Sequence, residues 1–415
     1  MKKIFIKSLY GIILIAALSP SLLADEISSP SLITTFTSDR GTMGIPRWKG
    51  YMDQSNPDHL WVSYANAGSS LGNVNYTTDG GQTWSDHVIQ VDFYGYLDFH
   101  TSLYGHNGEL YFTWPGRDYV CFRKFNAPAQ SNDDREPTHE FAYTTNLFRS
   151  NVMVQDNGRV WVFTRSSDNA SENVKYNYSD DGGQTWTNGV AFATNYDQIR
   201  IGSMPYVNGN PALVVLYLNS PTGFEYYLWN GTSFERKADA SIYAGNVRFD
   251  RAFTHNVIDG QYMHLVFGFD NDLHHCWKAY NNGTGSWNHQ VIENSPFTDG
   301  MEWYPISTVR GNDMYVFYCR KLSADESSST VYYRKWSQDT QSWSDPVLVS
   351  EGLLNQRNLQ PNTCPEVPES SDYIPVYWQS GSGPNFNINF NKVTVSSVPV
   401  TDTIPPAAIF DLRTE

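Results

Sequence analysis

Seven positions about fifty residues apart carry side chains suited to gripping or cleaving an anionic ligand: Arg47, His100, Arg149, Arg200, Arg251, Glu302 and Arg357. Successive steps are 53, 49, 51, 51, 51 and 55 residues. His255 stands just behind Arg251, and Tyr304 follows Glu302 by two. Arginine presents a planar fork of donors that holds carboxylate or sulfate through two hydrogen bonds. Histidine titrates near neutral pH, and a tyrosine beside cations can carry a proton. The expected ligand-binding set is therefore Arg47, Arg149, Arg200, Arg251 and Arg357. The expected catalytic set is His100, His255, Tyr304 and Glu302. A competing structural account pairs the arginines with carboxylates between neighbouring units. No nucleotide loop, Ser-His-Asp order or metal-ligand cluster is visible, so no cofactor and no metal is expected. His274-His275 reads as a solvated pair in a turn rather than a ligand set.

The equal spacing demands a repeated scaffold. Seven apolar, β-branched and aromatic runs occupy residues 60–64, 110–114, 160–164, 213–217, 263–267, 314–318 and 374–378. Their first residues are 50, 50, 53, 50, 51 and 60 apart. Turn formers precede each run, among them Asn107-Gly108 and Asp259-Gly260. Aromatics make up 15% of the chain, with 30 glycines and 21 prolines, a composition of strands and turns. A repeat of about fifty residues holding several strands is the signature of a β-propeller blade, which needs neighbours to bury its faces. The expected fold is all-β, a propeller of seven four-stranded blades over residues 25–397, with six blades as the alternative. The innermost strand of each blade lines the axis. It should lie one hairpin upstream of each apolar run, where the seven chemical positions fall.

Two segments, residues 77–84 and 179–186, are near-copies 102 residues apart, and both fit Ser/Thr-x-Asp-x-Gly-x-x-Trp. Weaker echoes end at Trp287 and Trp343. The motif resembles the Asp box of sialidases and related BNR-repeat propellers. Its physics is structural: Asp79 and Asp181 satisfy turn donors while the Trp packs beneath. The resemblance implies a carbohydrate-active protein. It also sets out departures. Sialidases place an arginine before an Ile-Pro pair, whereas Arg47 follows Ile45-Pro46. They pair a tyrosine nucleophile with a glutamate, for which Tyr304 and Glu302 are candidates on one strand. They carry an aspartic acid before the first Asp box, but residues 65–73 contain no carboxylate. A third arginine, Arg310 or Arg320, sits in no clear motif. Some similar propellers are uronate polysaccharide lyases, where arginine would neutralise the carboxylate and His100 or His255 with Tyr304 would move protons. A non-catalytic carbohydrate-binding propeller is the third reading.

Lys2, Lys3 and Lys7 precede an apolar run at residues 11–18, and small residues lead to Ala24. This pattern is a secretory signal peptide over residues 1–24, giving a secreted or periplasmic product with no membrane span. Its removal takes three lysines and no acid, moving the net charge from −15 to −18. Such acidity argues against nucleic acid as partner and leaves an anionic oligo- or polysaccharide bound locally by a monomer. Cys121, Cys276, Cys319 and Cys364 are too widely spaced for a zinc or redox motif. They stand as disulfide partners or buried thiols. Residues 398–415 resemble the opening of a fibronectin type III module, read as a linker or a truncated start.

Overall fold

Tyr262–Phe269 shows why the apolar runs are continuous rather than alternating. All six of its interior residues are buried, because both faces of the strand are covered by neighbouring sheets. Two strands further out, Asn288–Glu293 buries only Ile292 and Glu293. Each blade thus grades from a doubly covered interior to a half-wet rim. Every one of the seven apolar runs lies on the second strand of a sheet.

The computed structural model describes residues 27–36, 48–66, 71–85, 89–92, 101–115, 119–126, 139–142, 147–168, 171–196, 199–201, 206–207, 209–217, 223–237, 249–269, 271–280, 285–295, 303–321, 329–350, 361–382 and 385–395. These form seven antiparallel sheets, numbered 1 to 7 here in chain order of their first strands. The first strands are Gly50–Met52, Ser102–His106, Leu147–Val154, Ile199–Ile201, Phe249–Ile258, Ile306–Arg310 and Pro361–Asn362. Sheets 4 and 6 each carry one extra short strand. The fold is an all-β, seven-bladed propeller, and among the described residues no helix is long and apolar enough to cross a membrane. The signal segment 1–24 and the tail 398–415 lie outside the described residues.

Sheet 7 closes the ring. Its outermost strand is Ser31–Phe36, which pairs with Asn385–Thr394 from Ser31↔Phe390 to Phe36↔Phe386. The hydrophobic core is distributed between sheets. One cluster joins sheets 5 and 6 through Ile258, Val266, Leu273, Trp303, Val316 and Trp336. Another joins sheets 4 and 5 through Tyr226, Phe224, Leu265 and Phe267. The four cysteines are buried thiols within these layers. Burial pushes Cys121, Cys276 and Cys364 up to about 12.

The two Asp-bearing turns sit between the third and fourth strands of sheets 1 and 3. Asp79 accepts from the amides of Gln82 and Thr83 (both 2.9 Å), and Asp181 accepts from those of Gln184 and Thr185 (3.0 and 2.8 Å). These bonds hold Asp79 down at about 2, against the partial burial that opposes it. Gly81 and Gly183 have φ of 86° and 101°. A Cβ at either would strike an aromatic ring of the preceding sheet, Phe390 or Phe122. Trp84 and Trp186 meet those same rings edge-on, at 5.3 and 4.8 Å. Each turn is therefore a clamp between two blades.

Candidate functional site

The first strands stand side by side about the axis and bond to one another. Gly50 donates to the Thr363 carbonyl (3.2 Å), Leu103 to the Trp48 carbonyl (3.2 Å) and Val309 to the Pro365 carbonyl (3.4 Å). Ser307 N donates to Thr254 Oγ1 (3.1 Å), and Val152 N to Ser102 Oγ (3.3 Å). Trp48 goes further. Its indole passes sheet 7 and donates to the Ser307 carbonyl of sheet 6 (2.8 Å). Trp48 is 5% exposed and lines one side of a cavity.

Beyond Trp48, toward the ends of the first strands, lie two adjoining cavities of about 700 and 490 Å³. Carboxylates line them: Asp53, Asp156, Asp259, Glu366 and Glu369. The Glu366 carboxyl is raised above the usual range, first by the protein around it and then by the charge of Asp156. An anion has no welcome there.

Toward the opposite end, where the first strands begin, stand three of the arginine positions expected from the sequence. Arg149, Arg200 and Arg251 lie on the first strands of sheets 3, 4 and 5. The backbone of Arg149 stands opposite that of Arg165, beside a register shift between Leu147 and Arg149. Arg251 falls within the shift between Phe249 and Phe253. Irregularities of this kind re-aim side chains and gather beside active sites. Arg47, His100, Glu302 and Arg357 lie outside the described residues.

Tyr304 precedes the first strand of sheet 6 and is half-buried. Its φ is 43°, in the left-handed region, although it is neither glycine nor asparagine and precedes Pro305. A proline disfavours helical conformations in the residue before it, so this backbone is doubly constrained. The neighbouring residue imposes it. Trp303 is fully buried, donates from its indole to the Asn271 carbonyl (2.9 Å), and accepts at its own carbonyl from Cys319 N (2.7 Å). Tyr304 therefore departs from the extended backbone the sequence suggested for it. A half-buried tyrosine in this backbone region is the kind of outlier that marks function.

His255 has a different setting. It is 0% exposed in the middle of Phe249–Ile258 and meets Tyr226 of sheet 4 edge-on at 6.3 Å. Burial pushes it down to about 3, so it is neutral. A substrate reaches this ring only if two sheets part. His274 and His275 are likewise inside a strand, Asp272–Ala279, at 6% and 0% exposure, rather than solvated in a turn. Two basic residues escaped the sequence reading. Lys49 is fully buried just before the first strand of sheet 1 and donates to Thr101 Oγ1 (2.9 Å), and Arg165 is 8% exposed. Their signal was available: Lys49 adjoins Arg47, and Arg165 ends an apolar run. Among the described residues, no three His, Cys, Asp or Glu side chains converge as a metal set.

No family model and no curated protein matches the sequence. Solved structures do. The chain is similar to the polysaccharide lyase Uly1, with a TM-score of 0.56, 11% identity, and 82% of this chain and 88% of that one covered. It is similar to a PL25 ulvan lyase bound to -[GlcA(1-4)Rha3S]-, with a TM-score of 0.59, 10% identity, and 85% and 94% covered. A protein of unknown function from Dyadobacter fermentans gives a TM-score of 0.50, 12% identity, and 73% and 97% covered. At such identities the shared property is the fold.

Proposed function

We propose that this chain is a secreted polysaccharide lyase acting on an acidic, uronate-containing polymer at the end of the channel where the first strands begin. The observation that carries the reading is Tyr304, a half-buried tyrosine held at φ 43° before Pro305, just ahead of the first strand of sheet 6. In the reaction, a base removes the C5 proton of the uronate and arginine neutralises the carboxylate that receives its charge. The C4–O bond then breaks, the leaving oxygen takes a proton, and a C4=C5 double bond remains. Arg149, Arg200 and Arg251 are assigned the carboxylate, and Tyr304 one of the two proton transfers, with His100 as its partner. His255 has no part, because its ring is sealed between sheets. Elimination is favoured over sialidase-type hydrolysis because residues 65–73 lack the required acid. Two of the similar structures are lyases, which supports the same choice.

Tyr304→Phe tests the assignment. General acid–base catalysis contributes roughly 10²- to 10⁴-fold, so kcat should fall by about that factor while affinity for the polymer stays within about twofold. A variant that folds, binds and retains full turnover removes Tyr304 from the chemistry.

A further inference from the structure

Sheet 5 carries two hydrogen-bonded histidine pairs, and their donor directions differ in consequence. The inner pair is His264 and His275, both 0% exposed, with His264 Nδ1 and His275 Nε2 3.0 Å apart. Trp343, in the outermost strand Ser342–Trp343 of sheet 6, points its indole N–H at His275 Nδ1 (3.3 Å). An indole nitrogen only donates. His275 Nδ1 must therefore be bare, which puts the His275 proton on Nε2. That proton is given to His264 Nδ1, so His264 Nδ1 is bare as well. The chain of bonds runs one way across the seam and requires both rings neutral. A proton on His275 Nδ1 would face the Trp343 N–H. A proton on His264 Nδ1 would face the His275 N–H across 3.0 Å.

Among the described residues, no carboxylate pairs with either ring. Trp277 stacks on His275 at 4.8 Å, while Trp336 and Trp343 meet it edge-on at 4.7 and 5.0 Å. Gln290 approaches His275 Nδ1 at 3.4 Å. Gln338, whose carbonyl accepts the Trp336 indole (3.2 Å), lies beside His264. The titratable groups acting on the pair are His255 of the first strand and His289 of the fourth, which only add repulsion. Burial first, then these charges, push His264 down to about 3 and His275 well below its ordinary value. In the outer pair, His274 Nε2 is bonded to the Phe269 carbonyl (3.0 Å), so its Nδ1 accepts from His289 Nε2 (2.8 Å). His289 can gain a proton at its other nitrogen without losing that bond, and its strand position is exposed.

We propose that His264, His275 and Trp343 form an acid-released clasp between sheets 5 and 6, held while both rings are neutral and opened at the outer strand when either takes a proton. The direction follows from linkage. Each ring binds its proton near pH 6.5 when exposed and far lower when clasped. The clasp is therefore at full strength above about pH 6.5, and below it the closed-to-open ratio falls up to about tenfold per pH unit per ring.

Hydrogen exchange of the wild-type protein, corrected for intrinsic rates, provides the test. Between about pH 7 and about pH 5, protection at Asp272–Ala279 and Ser342–Trp343 should drop at least tenfold more than at Leu60–Asn66. In His264→Asn, whose carbonyl replaces the Nδ1 acceptor and cannot titrate, the extra drop should shrink by about tenfold, whereas His289→Gln should leave it unchanged. Equal loss in all segments, or an unchanged loss in His264→Asn, overturns the clasp. Should His264→Asn fail to fold, ¹⁵N shifts of the wild-type rings decide. Both must be Nε2–H tautomers that stay neutral in the folded state. An Nδ1–H His275, or a ring titrating near pH 6.5 in the folded protein, overturns it too.

Discussion

At the end of the channel where the first strands finish, Asp53, Asp156, Asp259, Glu366 and Glu369 line two adjoining cavities. At the end where they begin stand Lys49, the arginine positions of sheets 3 to 5 and the constrained Tyr304. The same strands supply both ends. The acidic end owes its character to local structure. Asp156 and Asp259 belong to the tight turns between first and second strands, where short polar side chains serve the backbone. In an acidic protein, the location of positive charge is therefore more informative than its amount.

Two substitutions probe that comparison. Arg200→Ala should weaken binding of an acidic polysaccharide by about 1.5–3 kcal/mol, roughly 10- to 150-fold, the range for a charged hydrogen bond. The wild-type affinity should also fall as salt is raised, because screening weakens an exposed charged site. Glu366→Gln, at the other end, should leave affinity in titration calorimetry unchanged. Equal losses from both would erase the distinction between the ends.

Asp156→Asn acts within the acidic end alone. It removes a like charge from beside Glu366, so the Glu366 pKa should fall toward its ordinary value without reaching it, since burial is the larger cause. The sign for stability follows. A carboxyl raised in the folded state costs stability as pH climbs through its unfolded value and ionisation is forced, and Asp156→Asn should reduce that loss. NMR titration of the Glu366 carboxyl measures the shift directly, and an unmoved value would mean that the two groups do not share the cavity's field.

The smallest effect belongs to the clamps outside both ends. Asp79→Ala should cost about 1 kcal/mol in urea unfolding, the net worth of lost turn hydrogen bonds, with polymer affinity unchanged. Asp181→Ala should lower the melting temperature in the same direction. Loss of binding by a folded Asp79→Ala protein would place these turns in the ligand site.

The blade count was legible because doubly covered second strands force continuous apolar runs, which spacing alone reveals. Ring closure was not. Ser31–Phe36 pairs with residues more than 350 positions away, and the wide last step of 60 residues hid a two-strand-residue beginning, Pro361–Asn362. Periodicity carries no information about so distant a partner. At the site, register located Arg149, Arg200 and Arg251 on first strands but misjudged His255. Phe253, His255 and Val257 share the face that packs on sheet 4, so a residue near a chemical position belonged to a seam instead. Tyr304 was found by type, yet its conformation depends on the tethering of Trp303 to Asn271 and Cys319, contacts no local reading supplies. Of the carboxylates at the acidic end, Asp156 and Asp259 were visible as turn formers, whereas Asp53, Glu366 and Glu369 carried no such signal.

The most direct test is the product formed from a uronate polymer. Purified protein is incubated separately with a sialoside, a uronate-containing polymer and a sulfated polymer lacking uronate, while released sugar and ultraviolet absorbance from unsaturated ends are followed together. The account predicts unsaturated ends from the uronate polymer alone, at a rate suppressed by Tyr304→Phe. Released sugar without unsaturation would establish hydrolysis, and binding with no product would make this propeller a recognition module; either result contradicts the proposed elimination.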